Sequence, residues 1–202
     1  MINWLKLMMG SFLKGTPSVK SQKIMITGPQ GSGKTTQAKK IAKKIDVYFV
    51  GAGDLLRQFA KESSGMAAKV KNDLESGRLV DNEIIGNLLR KTLSQPEYRK
   101  GFVADGYPRS LSQLEVYNPD YDRVVYLKVS DEEAERRLLD RSREDDTSEA
   151  IKERLSWYHK ETAPLLEYYQ KQKKLVTIDG ERSIEEVAAD IEDKLRVEGK
   201  ND

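Results

Sequence analysis

The residues best suited to do chemistry lie in the stretch GPQGSGKT, residues 28–35, which satisfies the pattern G-x-x-x-x-G-K-[ST]. Glycines in this pattern accept positive φ and let backbone N–H groups close around an anion. The lysine reaches terminal phosphates, and the hydroxyl that follows it coordinates Mg²⁺. An apolar run at residues 24–27 precedes the stretch and a helical pattern at 37–45 follows it, which is the context that the pattern requires.

This context predicts a loop that binds a nucleoside triphosphate, with the start of the following helix directed at the same phosphates. A glycine-rich turn without function is the alternative, and the flanking strand and helix argue against it. The residues predicted to bind the triphosphate are Gly28, Pro29, Gln30, Gly31, Ser32, Gly33, Lys34, Thr35 and Thr36.

The composition of the 202 residues excludes several classes of site. Lys and Arg number 35 against 33 Asp and Glu, so net charge indicates no nucleic-acid partner. Without cysteine there is neither a disulfide framework nor a thiolate metal site, and a single histidine cannot form a multi-histidine site. No apolar run reaches the roughly 18 residues that a membrane span needs. We expect a cytoplasmic protein without an integral membrane segment.

Five short apolar runs alternate with helical patterns, which predicts right-handed crossovers and a parallel α/β sheet flanked by helices. The runs cover residues 24–27, 47–50, 101–105, 124–129 and 175–178. Ligands of such sheets bind outside the carboxyl ends of the strands. We therefore expect the phosphate loop and Asp105 to lie at one edge.

Two segments extend beyond this pattern. Helical stretches between the second strand and Asp81, about residues 51–81, exceed what a small sheet can cover and predict a projecting helical flap. Residues 1–22 form an N-terminal extension whose first fourteen residues have amphipathic spacing. It is interpreted as a partner or membrane-surface contact, as a helix packed on the domain, or as a disordered extension. Residues 23–202 form the main domain.

Basic side chains are concentrated in the segments that should reach the same edge. A guanidinium group presents paired donors that match phosphate oxygens. One triphosphate rarely needs many arginines, whereas two phosphorylated substrates meeting head to head do. The candidates, besides Lys34, are Arg57, Arg109, Arg137, Arg141, Arg143 and Arg154.

Several blocks, in order, resemble the nucleoside monophosphate kinase family, with adenylate kinases the most similar branch. They are GPQGSGKTTQ, GAGDLLR, SGRLVDNEI, GFVADGYPRSLSQLE and DRSREDDTSEAIKERLSWYHKETAPLLEYY. The resemblance runs from residue 23 to about 195. It implies the P-loop NTPase fold, a helical monophosphate-binding flap and transfer of the γ-phosphoryl group of Mg-ATP to a nucleoside monophosphate. The most similar branch implies AMP as the acceptor.

The same resemblance implies a role for each matching residue. Lys34, Arg109, Arg141, Arg143 and Arg154 would be catalytic. Arg137 and the backbone near Arg182 would meet ATP. Thr35 and Asp105 would hold Mg²⁺, largely through water. The AMP-binding residues would be Ala52, Arg57, Arg78, Val80, Gly106, Arg109 and Gln113.

Two departures from the family pattern leave questions open. Ala52 resembles the UMP/CMP kinase branch, whereas Gln113 favours adenine, so a pyrimidine or broad-specificity kinase stays as the alternative. The lid, about residues 141–147, is very short, because only Ser142 separates Arg141 from Arg143. Without cysteine no structural zinc is expected there. We expect a monomer in which side chains alone keep water from the phosphoryl group.

Two further interpretations compete with this one. The loop also resembles that of thymidylate kinases, although no Asp-Arg-Tyr segment of that type is present. A nucleotide-binding module without transfer activity would be expected to lose some phosphate-binding arginines. All the matching positions are occupied here, so an enzyme is predicted.

Overall fold

The computed structural model describes residues 22–141 and 147–197. Its strands are β1 (Gln22–Thr27), β2 (Tyr48–Gly51), β3 (Gly101–Asp105), β4 (Arg123–Lys128) and β5 (Leu175–Asp179). They form one sheet in the order β2-β3-β1-β4-β5, with every pair parallel. The predicted parallel five-stranded sheet is confirmed, and the strand order places β3 between β1 and β2.

The strands alternate side chains between two buried faces. Ile24 and Ile26 belong to the apolar core on one face, and Met25 between them belongs to the core on the other. A strand that is buried on both faces reads as a continuous apolar run, because helices cover both sides of a parallel sheet. This explains why the short runs of the sequence predicted the strands well.

Helices cover both faces of the sheet. On the face of Ile24 lie α1 (Lys34–Lys44) and α9 (Ile184–Val197), which contribute Ile41 and Ile191 to that core. The opposite core receives residues from four helices. These are α2 (Ala52–Phe59), α3 (Gly65–Glu75), α4 (Asn82–Leu93) and α8 (Ala163–Lys171).

The predicted helical flap corresponds to α2, α3 and the link that leads to α4. Ser64 caps α3 by accepting a hydrogen bond from the Ala67 N–H at 3.1 Å, and Asp81 caps α4 by accepting from Glu83 at 2.9 Å. Such caps contribute about 0.5–2 kcal/mol each. They fix where the flap turns back toward the sheet.

The remaining helices are shorter or divided. A 3-10 turn (Pro96–Lys100) precedes β3 and α5 (Leu111–Val116) follows it, while α6 (Asp131–Arg141) follows β4. The helical stretch of residues 148–171 is divided into α7 (Ser148–Trp157), a π turn (Tyr158–Thr162) and α8. Pro164 lies in the first turn of α8, where its missing N–H removes no helical hydrogen bond. The proline therefore falls where one helical segment gives way to the next.

Two predictions fall outside the described residues. The N-terminal extension, apart from Gln22, and residues 142–146 of the short lid belong to this group. Within the described residues, no helix has the length and apolar character needed to cross a membrane.

Candidate active site

The carboxyl ends of three neighbouring strands bring the predicted site together. Asp105 at the end of β3 is in register with Ile26 of β1 and with Gly51 of β2. Since neighbouring strands lie about 4.8 Å apart, the loops that follow these residues must be adjacent. The phosphate loop, the start of the flap and the Asp105 loop therefore share one edge of the sheet.

A cavity of about 240 Å³ opens at this edge, and a side chamber of about 20 Å³ adjoins it. The cavity gathers predicted site residues from both sides. Those that line it are Gln30, Gly31, Gly33, Lys34, Thr35, Thr36, Ala52, Arg57, Arg78, Val80, Asp105, Gly106, Arg109, Gln113, Arg137 and Arg154.

The phosphate loop has the backbone that the glycine pattern requires. Gly28, Gly31 and Gly33 have φ of 149°, 85° and 87°, conformations that side chains rarely adopt. A Cβ at Gly31 would also run into the Ala134 carbonyl of α6. Helix α1 begins at Lys34 with Gly33 as its N-cap, so its first N–H groups face the loop. This arrangement is suited to an anion.

Lys34 and Ser32 add side-chain donors to the same loop. Lys34 Nζ donates to the Pro29 carbonyl at 2.6 Å, which folds the lysine back over the loop. The buried Ser32 Oγ has no hydrogen-bond partner among the described residues. Ser32 lines neither the cavity nor the side chamber, so its hydroxyl is enclosed within the loop beside Gly28.

Thr35 and Asp105 form the candidate magnesium position. Thr35 Oγ1 donates to Asp105 Oδ2, which joins the start of α1 to the end of β3. Mg²⁺ prefers oxygen ligands and usually keeps several waters beside one or two carboxylates and substrate phosphates. The residues fit such an ion. Within residues 22–141 and 147–197 no group of three or more acidic or histidine side chains could hold a metal without a substrate.

Arg109 is a partly buried cation of the site, whereas Arg154 is buried. Burial lowers the pKa of its guanidinium, nearby Asp105 raises it, and Arg154 and Arg57 lower it again. Its Nε donates to the Gly106 carbonyl at 3.2 Å. Three guanidinium groups near one another repel unless an anion lies between them, and all three keep their charge near neutral pH. The cluster is therefore prepared for a phosphate.

Gln113 is bonded directly to the backbone of Arg109. Its Oε1 accepts from the Arg109 N–H at 2.7 Å, and the side chain is buried. The Tyr107 hydroxyl donates to the Gln113 carbonyl at 2.6 Å and holds the start of α5 in place. Gln113 therefore lines the cavity in a fixed orientation, beside the buried Val80.

The flap arginines are held by neighbouring carboxylates. Arg57 Nη2 lies 2.7 Å from Asp54 Oδ1, and Arg78 Nη2 lies 3.3 Å from Asp73 Oδ1. Arg57 and Arg78 keep 38% and 48% of their side-chain surface exposed, so these ion pairs are screened by water and easily exchanged for a ligand. The buried Ala52 begins α2 below them.

Two arginines reach the cavity from outside the flap. The buried Arg154 of α7 donates from Nη2 to the Leu74 carbonyl at 3.2 Å and so contacts the flap. Arg137 of α6 donates to the Gly180 carbonyl at 2.9 Å and to Glu133 at 2.6 Å. Hydrogen bonds from Arg136 and Arg137 lower the pKa of Glu133 to about 2, so this carboxylate stays charged.

Four other predicted residues, which the structure describes, lie outside the main cavity. Gly28 lines the side chamber, whereas Pro29 and Ser32 are buried beneath the loop. The Arg182 side chain is paired with Asp190 and Asp179, beyond the cavity lining. Arg141 is the last residue of α6. Its side chain and Arg143 lie outside the described part of the structure.

Three residues of the side chamber were missed by the sequence reasoning. Trp157, Tyr158 and Thr162 line it together with Lys34, Arg109 and Arg154. Trp157 follows Arg154 by three residues, so helical periodicity could have placed it on the same face. No such signal exists for Thr162, because the π turn shifts its position relative to α7.

The comparisons with known proteins agree with this geometry. A family model described as Adenylate kinase matches residues 26–174. An adenylate kinase of Cyanothece sp. is 39% identical over 84% of this chain and 93% of its own length. Adenylate kinase 1 of Nostoc sp. is 36% identical over 86% and 98%, and an adenylate kinase of Mycobacterium tuberculosis is 38% identical over 83% and 95%.

These matches cover nearly the whole length of the relatives and three quarters or more of the described chain, which confirms the predicted resemblance. They favour the adenylate kinase branch over the pyrimidine kinases. With the parallel sheet, the phosphate loop and the arginine-lined cavity, they identify the chain as a phosphotransferase that belongs to the adenylate kinase family.

Proposed function

We propose that this chain transfers the γ-phosphoryl group of Mg-ATP to AMP, giving two ADP, through the residues that line the cavity. The observation that carries the proposal is that one cavity is lined both by the phosphate loop with Lys34 and by a second set of phosphate-binding and base-binding side chains. That second set comprises Arg57, Arg109 and Gln113, and Arg154 lines the same cavity. Two nucleotides bound there would meet with their phosphates facing each other.

The donor half of the site would hold ATP. The loop N–H groups and Lys34 would bind its β- and γ-phosphates. Arg137, which already bridges α6 and the Gly180 carbonyl, is placed to contact the nucleotide along that wall. The backbone around Arg182, after β5, would complete the adenine side.

The acceptor half would hold AMP. Arg57 and Arg109 would bind its α-phosphate, the first by exchanging its exposed contact with Asp54 and the second from its partly buried position. Gln113 would recognise the base, because its Nε2 donates and its oxygen keeps a second lone pair besides the one used by Arg109. Ala52, Arg78, Val80 and Gly106 would form the surrounding wall.

The transfer step requires neutralisation of charge rather than a general base. An α-phosphate oxygen of AMP forms a bond to the γ-phosphorus of ATP. The bond from that phosphorus to the bridging oxygen breaks, and the electron pair leaves with ADP. Lys34, Arg109 and Arg154 surround this position and would stabilise the negative charge on the transferring group. Arg141 and Arg143 are proposed to join them.

Mg²⁺ would be held by Thr35 and Asp105, mostly through water, together with the phosphates of ATP. The ion supplies positive charge to the β- and γ-phosphate oxygens. Within the protein, the contact between Thr35 and Asp105 keeps the hydroxyl and the carboxylate on the same side of the loop.

A coupled assay with purified enzyme tests the proposal. ADP formation is followed with Mg-ATP and each of AMP, CMP, UMP and dTMP. The expected result is rapid ADP formation with AMP and far slower reaction with the pyrimidines. Higher kcat/KM for CMP or UMP would overturn the choice of acceptor, and no monophosphate-dependent ADP at all would overturn transfer itself.

The remaining expectations stay proposals. We propose that one chain carries a complete site and acts as a monomer in the cytoplasm, since residues of this one chain line both proposed nucleotide positions. Residues 23–202 would form the kinase domain, with the flap at about 51–81 and the lid at about 141–147. Residues 1–22 would make a partner or membrane-surface contact, which their amphipathic pattern supports.

A further inference from the structure

Trp157 has a position that the proposed roles do not use. It is the last residue of α7 and lines the side chamber beside Lys34, Arg109 and Arg154. The apolar side chains of α7 that pack in the core are Ile151 and Leu155, which contact α6. Trp157 is only partly buried and is not in that core. Its large apolar surface is therefore not explained by packing alone.

Contacts on two sides fix the orientation of the indole. Its Nε1 donates to Glu153 Oε1 at 2.8 Å, one turn earlier in α7. Lys160 Nζ lies 5.2 Å from the ring centroid, a cation–π contact. With the N–H occupied by Glu153, what the ring contributes to the chamber wall is mainly carbon.

The π turn after Trp157 attaches this wall to the rest of the site. The Tyr158 hydroxyl bonds the Tyr126 hydroxyl of β4 at 2.8 Å, and Thr162 Oγ1 donates to the Arg109 carbonyl at 3.2 Å. Both ends of the turn are thereby anchored to the sheet edge and to the Arg109 loop. The backbone that follows Trp157 is therefore anchored beside Arg109, while the indole itself is held by Glu153 and Lys160.

The chamber matters because two reactions compete for the γ-phosphorus. In transfer the attacking atom is an oxygen of AMP. In hydrolysis it is the oxygen of water, and the products are ADP, inorganic phosphate and one proton. Excluding water favours the first reaction and strengthens the charge interactions within the site. The sequence predicts a very short lid, so exclusion depends on individual side chains.

We propose that Trp157 keeps water out of the side chamber beside Lys34, Arg109 and Arg154. By doing so it directs the phosphoryl group to AMP rather than to water. The inference rests on the proposed function. Trp157 is a positioning residue in this account, because it acts on the solvent and on the space around the phosphates and forms no bond in the reaction.

The first test measures how the γ-phosphoryl group is divided between AMP and water. Wild type, Trp157→Ala, Trp157→Gln and Trp157→Phe are supplied with Mg-ATP and saturating AMP, and inorganic phosphate is counted against ADP. Inorganic phosphate arises from hydrolysis alone, so the ratio of inorganic phosphate to ADP reports how much of the γ-phosphoryl group is lost to water. We expect about a tenfold higher ratio in Trp157→Ala and Trp157→Gln, and a ratio near wild type in Trp157→Phe. Tyr48→Ala, an exposed aromatic residue at the opposite edge of the sheet, is the matched control.

The second test needs no altered site. The chain has two tryptophans, Trp4 and Trp157, so Trp4→Phe leaves Trp157 as the fluorophore. Binding of a dinucleotide that links two adenosines through five phosphates should shift and protect its emission from acrylamide quenching. An unchanged emission would overturn the inference, even if the Trp157 variants failed to fold.

The outcomes separate this inference from the proposed function. Unchanged phosphate ratios in variants that still make ADP from ATP and AMP would refute the role of Trp157 and leave the kinase activity intact. Absence of AMP-dependent ADP formation in wild type would refute the proposed function on its own.

Discussion

The proposed donor half and the proposed acceptor half of the cleft are built in different ways. The main part of the donor half is one stretch of chain, residues 28–36, with its N–H groups, its positive-φ glycines and Lys34, and Arg137 adds to it from α6. The acceptor half is assembled from side chains on the flap, the Asp105 loop and α5. The first half is thus mainly backbone, and the second is mainly side chains held by hydrogen bonds.

This difference decides how each half tolerates change. A surface of backbone donors is insensitive to most side-chain substitutions but fails when the chain cannot adopt its conformation. A surface of side chains loses one contact at a time, and the loss depends on how that side chain is held. The predictions below use this contrast, and the largest expected effects come first.

Removing the lysine of the donor half should have the largest effect. Lys34→Ala removes a charged side chain that folds back over the phosphate loop and should lower kcat/KM by about 10²–10⁴-fold. Affinity for AMP alone, measured by calorimetry, should stay near wild type. Lys40→Ala, an exposed lysine of the same helix paired with Glu185, is the control. An equal loss of AMP affinity would mean that the halves are not separate.

Arg109 should show the complementary pattern. Arg109→Ala leaves Asp105 without this nearby cation and should lower kcat/KM for AMP by about 10²–10³-fold, while ATP affinity is retained. Arg109→Lys keeps the charge but not the paired donors, so it should recover only part of the rate. A variant that lost ATP binding as strongly as AMP binding would contradict the division into halves.

Gly31→Ala tests the backbone character of the donor half. Its φ of 85° strains any side chain, and the new Cβ meets the Ala134 carbonyl. We expect destabilisation of about 1–3 kcal/mol, seen as a lower Tm, and weaker ATP binding with unchanged AMP binding. Gly65→Ala is the matched control, because no atom lies within 4 Å of its added Cβ. A similar Tm loss in both variants would point to a general effect of replacing glycine.

The smallest effect is expected from the support of Arg109. Thr162→Val removes the hydroxyl that donates to the Arg109 carbonyl while keeping the volume of the side chain. A net hydrogen bond contributes about 0.5–1.5 kcal/mol, so KM for AMP should rise roughly two- to tenfold. Thr162→Ser restores the donor and should restore KM. If the valine and serine variants behaved alike, the hydroxyl would have no positioning role.

The contrast between the halves also explains what could be predicted from sequence. The phosphate loop is continuous in the chain, so its glycines and Lys34 were identified with their geometry. The five strands were identified because each is a short apolar run, buried on both faces in β1 and β3 and on one face in β5 at the edge of the sheet. The order of the strands in the sheet could not be predicted, since it depends on which apolar runs pair with one another in the folded chain.

In the acceptor half, residue types were predicted from the resemblance, but their partners were not. Nothing local in the sequence says that Gln113 bonds the Arg109 N–H or that Thr162 bonds its carbonyl. These contacts join residues from different elements, and the π turn places one of them. The resemblance named the binding residues, and only the structure gave the contacts that hold them.

The position of β3 between β1 and β2 has a consequence for the whole cleft. Each proposed nucleotide site begins where one of these strands ends, and the hydrogen-bond ladders fix the three strands relative to one another. The starting points of the phosphate loop, of the flap and of the Asp105 loop are thereby set by one lattice of main-chain hydrogen bonds. A change in any of these three loops therefore alters the cleft from a common base that the other two share.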